Sequence, residues 1–205
     1  MALALRERLY SQPYYRLVYG ESDGLPGLVL DRFGDIVVGQ IGTAGMEAMK
    51  PAIVEAVDKV LGPKALIWKN DSGARELEGL PSYVKTALGP DIEETVVEEN
   101  GVRFFVPMGH GQKTGWFYDQ AYNRRALLKY VKGARVLDVF SYLGAWGLAA
   151  AAAGAAVAGR AHQRQAHARH VRHRHPVDRP GGGVRRRRGV GAVDGHLAPA
   201  AQLRR

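Results

Sequence analysis

The chain has 205 residues, no cysteine and a formal net charge of +9. It can therefore form no disulfide, thiolate metal site or thiol nucleophile. No apolar run reaches the about 18 residues of a membrane-spanning helix, and the start, MALALRERLYSQPYYR, carries Arg6, Glu7 and Arg8 where a secretory signal would be apolar.

A soluble, cytoplasmic protein is the expectation. Residues 3–12 suit a short helix. Apolar runs at Arg16–Tyr19, Leu28–Leu30 and Ile36–Ile41 follow, separated by Asp23-Gly24, Pro26-Gly27 and Gly34-Asp35, and predict a meander of strands. Over 46–61, MEAMKPAIVEAVDKVL sets Met46, Met49, Ile53, Val54, Val57, Val60 and Leu61 on one helical stripe closed by Gly62-Pro63. Pro51 is placed in the first turns, where its missing N–H costs least. Ala65–Trp68 reads as one more strand. The sum is an α/β domain over 1–91.

Residues 92–118 are predicted as a β-hairpin connector: two strand-like runs flank Asn100-Gly101, a dipeptide suited to the positive φ angles of a type I′ turn. From Asp119 the pattern becomes helical. Asp119 can cap, Leu127, Leu128 and Val131 share a face, and Gly133 can end the helix. Then VLDVFSYLGAWGLAAAAAGA, Val136 to Ala155, reads as a strand over Arg135–Phe140, a turn and a small-residue helix. Gly144 and Gly147 let backbone approach a ligand closely, and the exposed N–H groups of such a helix start attract anions. The stretch is not GxGxxG, and no acidic residue for a ribose follows at the second strand, so a unit buried for packing alone remains the competing reading. In GHGQKTGWFYDQAYNRR, Gly109 to Arg125, Trp116 and Phe117 can stack on a base or adenine ring and Gln120 can hydrogen-bond an adenosyl or amino-acid moiety. The alternative there is a hairpin exit with a capped helix.

Five segments together change the reading: YRLVYGESDGLPGLVLDRFGD (Tyr15 to Asp35), EGL (Glu78 to Leu80), VEENGVRFFV (Val97 to Val106), GHGQKTGWFYDQAYNRR, and RVLDVFSYLGAWG (Arg135 to Gly147). Over residues 13–156 the chain resembles the bacterial 23S rRNA (cytosine-5) methyltransferases of the S-adenosylmethionine-dependent class I superfamily. The resemblance implies a small central α/β domain, a β-hairpin and, over 119–156, the first strand, loop and helix of a Rossmann-like methyltransferase sheet. It implies S-adenosylmethionine as cofactor and large-subunit ribosomal RNA as partner, with no membrane and no metal. Phe140, Ser141, Tyr142 and Gly144 would wrap the methionine end of the cofactor, with Asp138 ordering the turn. Lys113, Thr114, Gly115, Phe117, Asp119 and Gln120 would form the outer wall.

The departures from the family pattern matter as much. Family members more often carry Tyr-Thr-Gly-Gly where this chain has Tyr142-Leu143-Gly144-Ala145. The family's PUA domain, Asp-Pro-Pro motif and catalytic cysteine are not in this sequence. Carbon-5 methylation of cytosine needs a nucleophile on carbon 6, normally a thiolate. No catalytic residue is assigned, and the expectation is a truncated, inactive fragment.

Residues 157–205 differ in kind. They hold twelve arginines, two acids and six of the seven histidines, so residues 1–156 carry seventeen basic and eighteen acidic side chains and are nearly neutral. The tail's residue types are all encodable by codons beginning with G or C, as a GC-rich gene read out of frame would produce. A frameshift near Gly154 to Gly159 and a disordered tail are therefore predicted. Two rival readings are an arginine arm for RNA, with RRRR at Arg185–Arg188, and a metal site at HVRHRH, His170–His175. A noncatalytic RNA-binding protein using that tail is the alternative to a methyltransferase fragment.

Overall fold

The computed structural model describes residues 1–109 and 111–160. The readings placed on HVRHRH, RRRR and the rest of 161–205 lie outside the described residues.

Val-, Ile- and Leu-rich runs between tight turns build the first sheet. Strands β1 (Tyr14–Tyr19), β2 (Leu28–Phe33) and β3 (Ile36–Ile41) form an antiparallel meander, with Leu30 opposite Val18 on one side and Gly39 on the other. The next strand, β4 (Ala65–Asn70), runs parallel to β3, and β5 (Tyr83–Leu88) closes the order β1-β2-β3-β4-β5 antiparallel to β4. A parallel neighbour requires a crossover. Helices α2 (Ala44–Ala48) and α3 (Lys50–Leu61) supply it, after the N-terminal helix α1 (Ala2–Leu9). All six residues of β4 are buried, as befits a strand covered on both faces. At Gly39 an added Cβ would lie 2.3 Å from Trp68 Cζ3, so the indole packs where a side chain would stand.

The single helix expected over 46–61 is broken at Met49. Pro51 has no N–H to give to the carbonyl of residue 47, so the ladder restarts with Pro51 in the first turn of α3, from which Ile53 and Val57 enter the core. Thr43 caps α2, its Oγ1 accepting from Met46 N at 3.4 Å. Two elements carry too little apolar periodicity to be read locally: α4 (Ala74–Leu77) and the edge strand β5.

The two faces of the sheet are covered differently. Tyr15, Leu17, Leu28, Leu30, Ile41, Leu66 and Trp68 pack under Ile53 and Val57 of α3. On the other face, Phe33, Ile36, Val38, Ala65 and Ile67 meet a hairpin of β6 (Glu94–Glu99) and β7 (Val102–Pro107) through Val97, Val102, Phe104 and Val106. The hairpin turn places Asn100 at φ 52° and Gly101 at φ 77°. The hairpin thus forms a layer of the core.

Glu47 anchors β5 and α4 to this body. Its carboxylate accepts from Lys50 Nζ (2.5 Å), Tyr83 OH (2.9 Å) and Arg75 Nη1 (3.0 Å), while Arg75 also donates to the carbonyls of Ile41 (2.5 Å) and Pro81 (2.9 Å). Burial alone would push the Glu47 carboxyl up, but the hydrogen bonds from Lys50, Tyr83 and Arg75 outweigh it and hold the group below its ordinary value. A depressed carboxyl contributes stability that is complete above its unfolded value, about 4.3, and disappears as pH falls through the folded value. Thermal midpoints measured from pH 6 to pH 3 should therefore fall less steeply for Glu47→Gln than for the parent; parallel acid limbs would exclude this network as a source of acid sensitivity.

The chain then makes a 3₁₀ turn (Tyr118–Gln120) and helix α5 (Ala121–Leu127). Asp119 does not cap this helix. Gln120 occupies the N-cap without a side-chain cap bond, and Asp119 Oδ2 accepts from Gln120 Nε2 at 3.0 Å. Leu128 and Val131 lie beyond α5, although Val131 is still buried. Strand β8 (Arg135–Val139) leads through a short loop to α6 (Ala145–Ala152) and on to β9 (Ala156–Arg160), which pairs parallel with β8 from Arg135↔Ala156 to Val139↔Arg160. Two expectations are corrected here. Residues 157–160 belong to a paired strand, so the tail does not begin at Val157, and the sheet begun by β8 has a second strand. The small side chains of α6, with Ala149 and Ala150 buried, let it lie close to this pair. An Ala/Gly-rich strand carries little local signal of its own.

Candidate functional site

Where β8 ends, three of the next five residues take left-handed backbone: Phe140 (φ 60°), Tyr142 (φ 49°) and Gly144 (φ 73°). Each non-glycine residue there costs on the order of 1 kcal/mol or more, so the turn must be held by its surroundings. Gly144 N donates to Ser141 O at 2.6 Å, and Asp138 Oδ2 accepts from Gly147 N at 2.9 Å, inside the first turn of α6. A Cβ on Gly147 would sit 3.0 Å from both Asp138 Oδ2 and Val157 Cγ1. Asp138 thus orders the strand–loop–helix junction, and Gly147 is tightly confined between it and β9.

Tyr142 leans from this loop onto residues 111–117. Its hydroxyl accepts from Gln112 N at 3.2 Å, its ring meets Phe117 edge-on at 5.9 Å between centroids, and Lys113 Nζ stands 4.4 Å from the Phe117 centroid. Burial pushes the Tyr142 phenol above its ordinary value, against a smaller lowering by the bond from Gln112. The structure brings together Lys113, Phe117 and Tyr142 on one side and Asp138, Ser141 and Gly144 on the other.

The remaining candidates are placed differently. Thr114 is fully buried, and its Oγ1 donates to Asp31 Oδ2 at 2.5 Å, where Asp31 also takes both arms of Arg16 (2.9 and 3.0 Å). Its side chain is committed to the first sheet. At Gly115, φ is 118° and an added Cβ would be 2.9 Å from Val106 Cγ1, so this residue packs backbone against β7. The side-chain bonds found for Asp119 and Gln120 join them to each other and to Asn123, with none to the 140–144 loop among the described residues.

Sequence reasoning missed the groups that hold this wall. Lys69 is one; its only local signal is a lysine inside the apolar run ALIWKN. The other is the Glu99–Arg124–Trp116 clamp, in which Arg124 donates to both oxygens of Glu99 (2.5 and 2.6 Å) and to Phe117 O (2.9 Å) while Trp116 Nε1 donates to Glu99 (3.2 Å).

The geometry can be tested against an adenosyl amino acid. The left-handed loop and the start of α6 present backbone N–H groups suited to a carboxylate, and the apolar, cation-flanked Phe117 and Tyr142 border it. The usual ribose partner is an acidic residue at the end of the second strand. Here β9 ends Gly159-Arg160, and residues 157–177 hold no acid. The residues fit the amino-acid end of such a ligand and lack the carboxylate for its ribose.

Residues 81–181 match the family described as S-adenosylmethionine-dependent methyltransferase. Over 141 residues the chain is 42% identical to a ribosomal RNA large subunit methyltransferase I of Aliivibrio fischeri, covering 68% of this chain and 36% of that protein. A protein of the same name from Erwinia tasmaniensis is 38% identical over 149 residues, 72% of this chain and 37% of the relative. The chain thus spans little more than a third of the length of these relatives. Among solved structures, a Streptococcus mutans protein assigned as an S-adenosylmethionine-dependent methyltransferase aligns with a TM-score of 0.69 at 25% identity, over 82% of this chain and 44% of its own. A methyltransferase-assigned structure in complex with SAH aligns at 0.70 and 25% identity, over 82% of this chain and 43% of that one.

Proposed function

We infer, from the match of residues 81–181 to the S-adenosylmethionine-dependent methyltransferase family, that the 140–144 loop receives the methionine end of S-adenosylmethionine and that Lys113, Phe117 and Tyr142 wall it. The observation carrying this reading is the left-handed Phe140–Gly144 turn locked by Asp138 at the start of α6. Bound there, the cofactor supplies a methyl group on a positively charged sulfur. The chain's part is to orient its amino-acid end through the loop and α6 amides and to border it with the Phe117 and Tyr142 rings.

The relatives' name supports large-subunit ribosomal RNA as the substrate class; carbon 5 of cytosine as the target rests on the motif resemblance alone. That chemistry requires a nucleophile on carbon 6, and this 205-residue chain contains no thiol. The chain by itself is therefore inactive in cytosine-5 transfer, and contributes a cofactor loop and a folded central domain.

Without the ribose carboxylate, binding of S-adenosylhomocysteine should be weak, with Kd about 1 mM, or roughly −4 kcal/mol. Ligand-observed NMR should detect it, and Gly144→Asp should abolish it by placing a Cβ at positive φ and a like charge beside the ligand carboxylate. A parent chain showing no contact with the ligand would refute the pocket, and labelled 5-methylcytosine formed on unmodified rRNA would refute the inactivity.

One observation favours RNA contact by the folded part. Tyr122 and Tyr130 are 82% and 78% exposed, and Arg125, Lys129 and Lys132 beside them are exposed with no ion-pair partner among the described residues. Exposed rings among unpaired cations suit stacking on single-stranded bases.

A further inference from the structure

The central sheet and the cofactor loop belong to different layers, and one buried ammonium group joins them. Lys69, on β4, is fully buried. Its Nζ donates to the carbonyls of Gly111 (2.5 Å) and Lys113 (2.6 Å), with Asp71 Oδ2 at 3.4 Å. An ammonium has three donors and no acceptor; two of them are hydrogen-bonded to these carbonyls, and the Asp71 carboxylate faces the charge as an ion pair. Both carbonyls come from residues in left-handed backbone, Gly111 at φ 102° and Lys113 at φ 49°. A cation facing both oxygens helps to hold this backbone, in which the non-glycine Lys113 is the strained residue.

The residue between those two carbonyls is Gln112, the one whose N–H reaches the hydroxyl of Tyr142. The fit is tight, since a Cβ on Gly111 would fall 2.3 Å from that same hydroxyl. The next residue, Thr114, is tied to Asp31 of β2. The Gly115 N–H closes the turn onto Gln112 O at 3.0 Å.

We propose that Lys69 is a positioning residue of the cofactor site: by holding the carbonyls on either side of Gln112, it aims that N–H at Tyr142 and fixes the wall against which the 140–144 loop folds. The central domain is in this way part of the binding machinery and not only a spacer. The proposal rests on the reading of 140–144 as the cofactor loop. Methionine at position 69 keeps the length and apolar stem of lysine but removes every donor.

The test is amide hydrogen exchange on the full chain, parent against Lys69→Met, with and without 10-fold excess S-adenosylhomocysteine over its Kd. Exchange at Gln112 and Gly115 should accelerate at least 10-fold in the variant, while Gly147, bonded to Asp138, and Ile67 in the sheet should stay within 2-fold. Added ligand should slow Gln112 exchange in the parent and leave it unchanged in the variant. If Lys69→Met also loosens Ile67, Thr114→Val serves instead: it removes the neighbouring tie to Asp31 and should accelerate Gly115 while the Lys69 bonds preserve Gln112.

Since the chain has no cysteine, Lys69→Cys can be converted at that single thiol to its S-aminoethyl form in denaturant and refolded. This lysine analogue should restore parent exchange. Unchanged Gln112 exchange in Lys69→Met, or failure of the aminoethyl analogue to restore it in a folded chain, would overturn the proposal. If the parent's Gln112 shows no response to ligand, the cofactor reading fails, while the ligand-free exchange comparison still decides whether Lys69 sets the wall.

Discussion

Glu99→Ala should lower the thermal midpoint by about 10 °C. The carboxylate takes both donors of the Arg124 guanidinium and the Trp116 indole N–H, with the Arg124 side chain 2% exposed and that of Glu99 11%. Removing one partner of a buried pair leaves an uncompensated charge and costs about 3–5 kcal/mol. For a chain of this size each kcal/mol is worth roughly 2–4 °C. Arg124 also lies 4.9 Å from the Trp116 centroid and donates to Phe117 O, so the loss should reach the proposed cofactor wall as well as the hairpin. The exposed neighbour Glu98 is the control, and Glu98→Ala should change stability by less than about 0.5 kcal/mol. The double variant Glu99→Leu/Arg124→Met replaces the pair with apolar groups and should recover much of the loss. A midpoint for Glu99→Ala within 2 °C of the parent's would show that the clamp contributes little.

The second large effect runs in the opposite direction: Arg160→Glu should tighten S-adenosylhomocysteine binding about 30-fold. Arg160 is the last residue of β9 and is paired with Val139, next to the loop. Beside it, the site of a Cβ on Gly159 would lie 4.0 Å from Ser141 Oγ. A carboxylate at such a strand end hydrogen-bonds the ribose hydroxyls of an adenosyl ligand. Hydrogen bonds to a charged group contribute about 1.5–3 kcal/mol, and about 2 kcal/mol corresponds to roughly 30-fold in Kd. Arg160→Gln removes the same charge without adding a carboxylate and should tighten binding far less. Calorimetry giving equal Kd values for the Glu and Gln variants would remove the ribose argument. It would also place the weakness of the site elsewhere.

These two experiments address features that stood differently in the sequence. The missing carboxylate was legible, because no acidic residue follows the glycine-bearing helix before Asp178, although β9 itself was not foreseen. The Glu99–Arg124 clamp was not, because its partners come from a hairpin strand and a helix twenty-five positions apart and neither has a distinctive neighbourhood. The same holds within the wall. KTGWFYDQ marks a segment with chemistry in it, but Thr114 and Phe117, three residues apart, serve different neighbours. One is bonded to Asp31, eighty-three positions earlier, and the other meets Tyr142 edge-on.

Local pattern by itself determined the meander of β1 to β3, the hairpin turning on Asn100-Gly101, and the strand, glycine-bearing turn and helix that follow Arg135. Each depends on alternation, breakers and the freedom of glycine over a few consecutive residues. Only the tertiary structure decided the break at Met49, the pairing of β9, the placing of the hairpin as a core layer, and the burial of Lys69 beneath Gly111 and Lys113. Those outcomes follow from contacts between segments distant in the chain, whose energies depend on which surfaces meet once the sheet has formed, and no short window of residues carries that information.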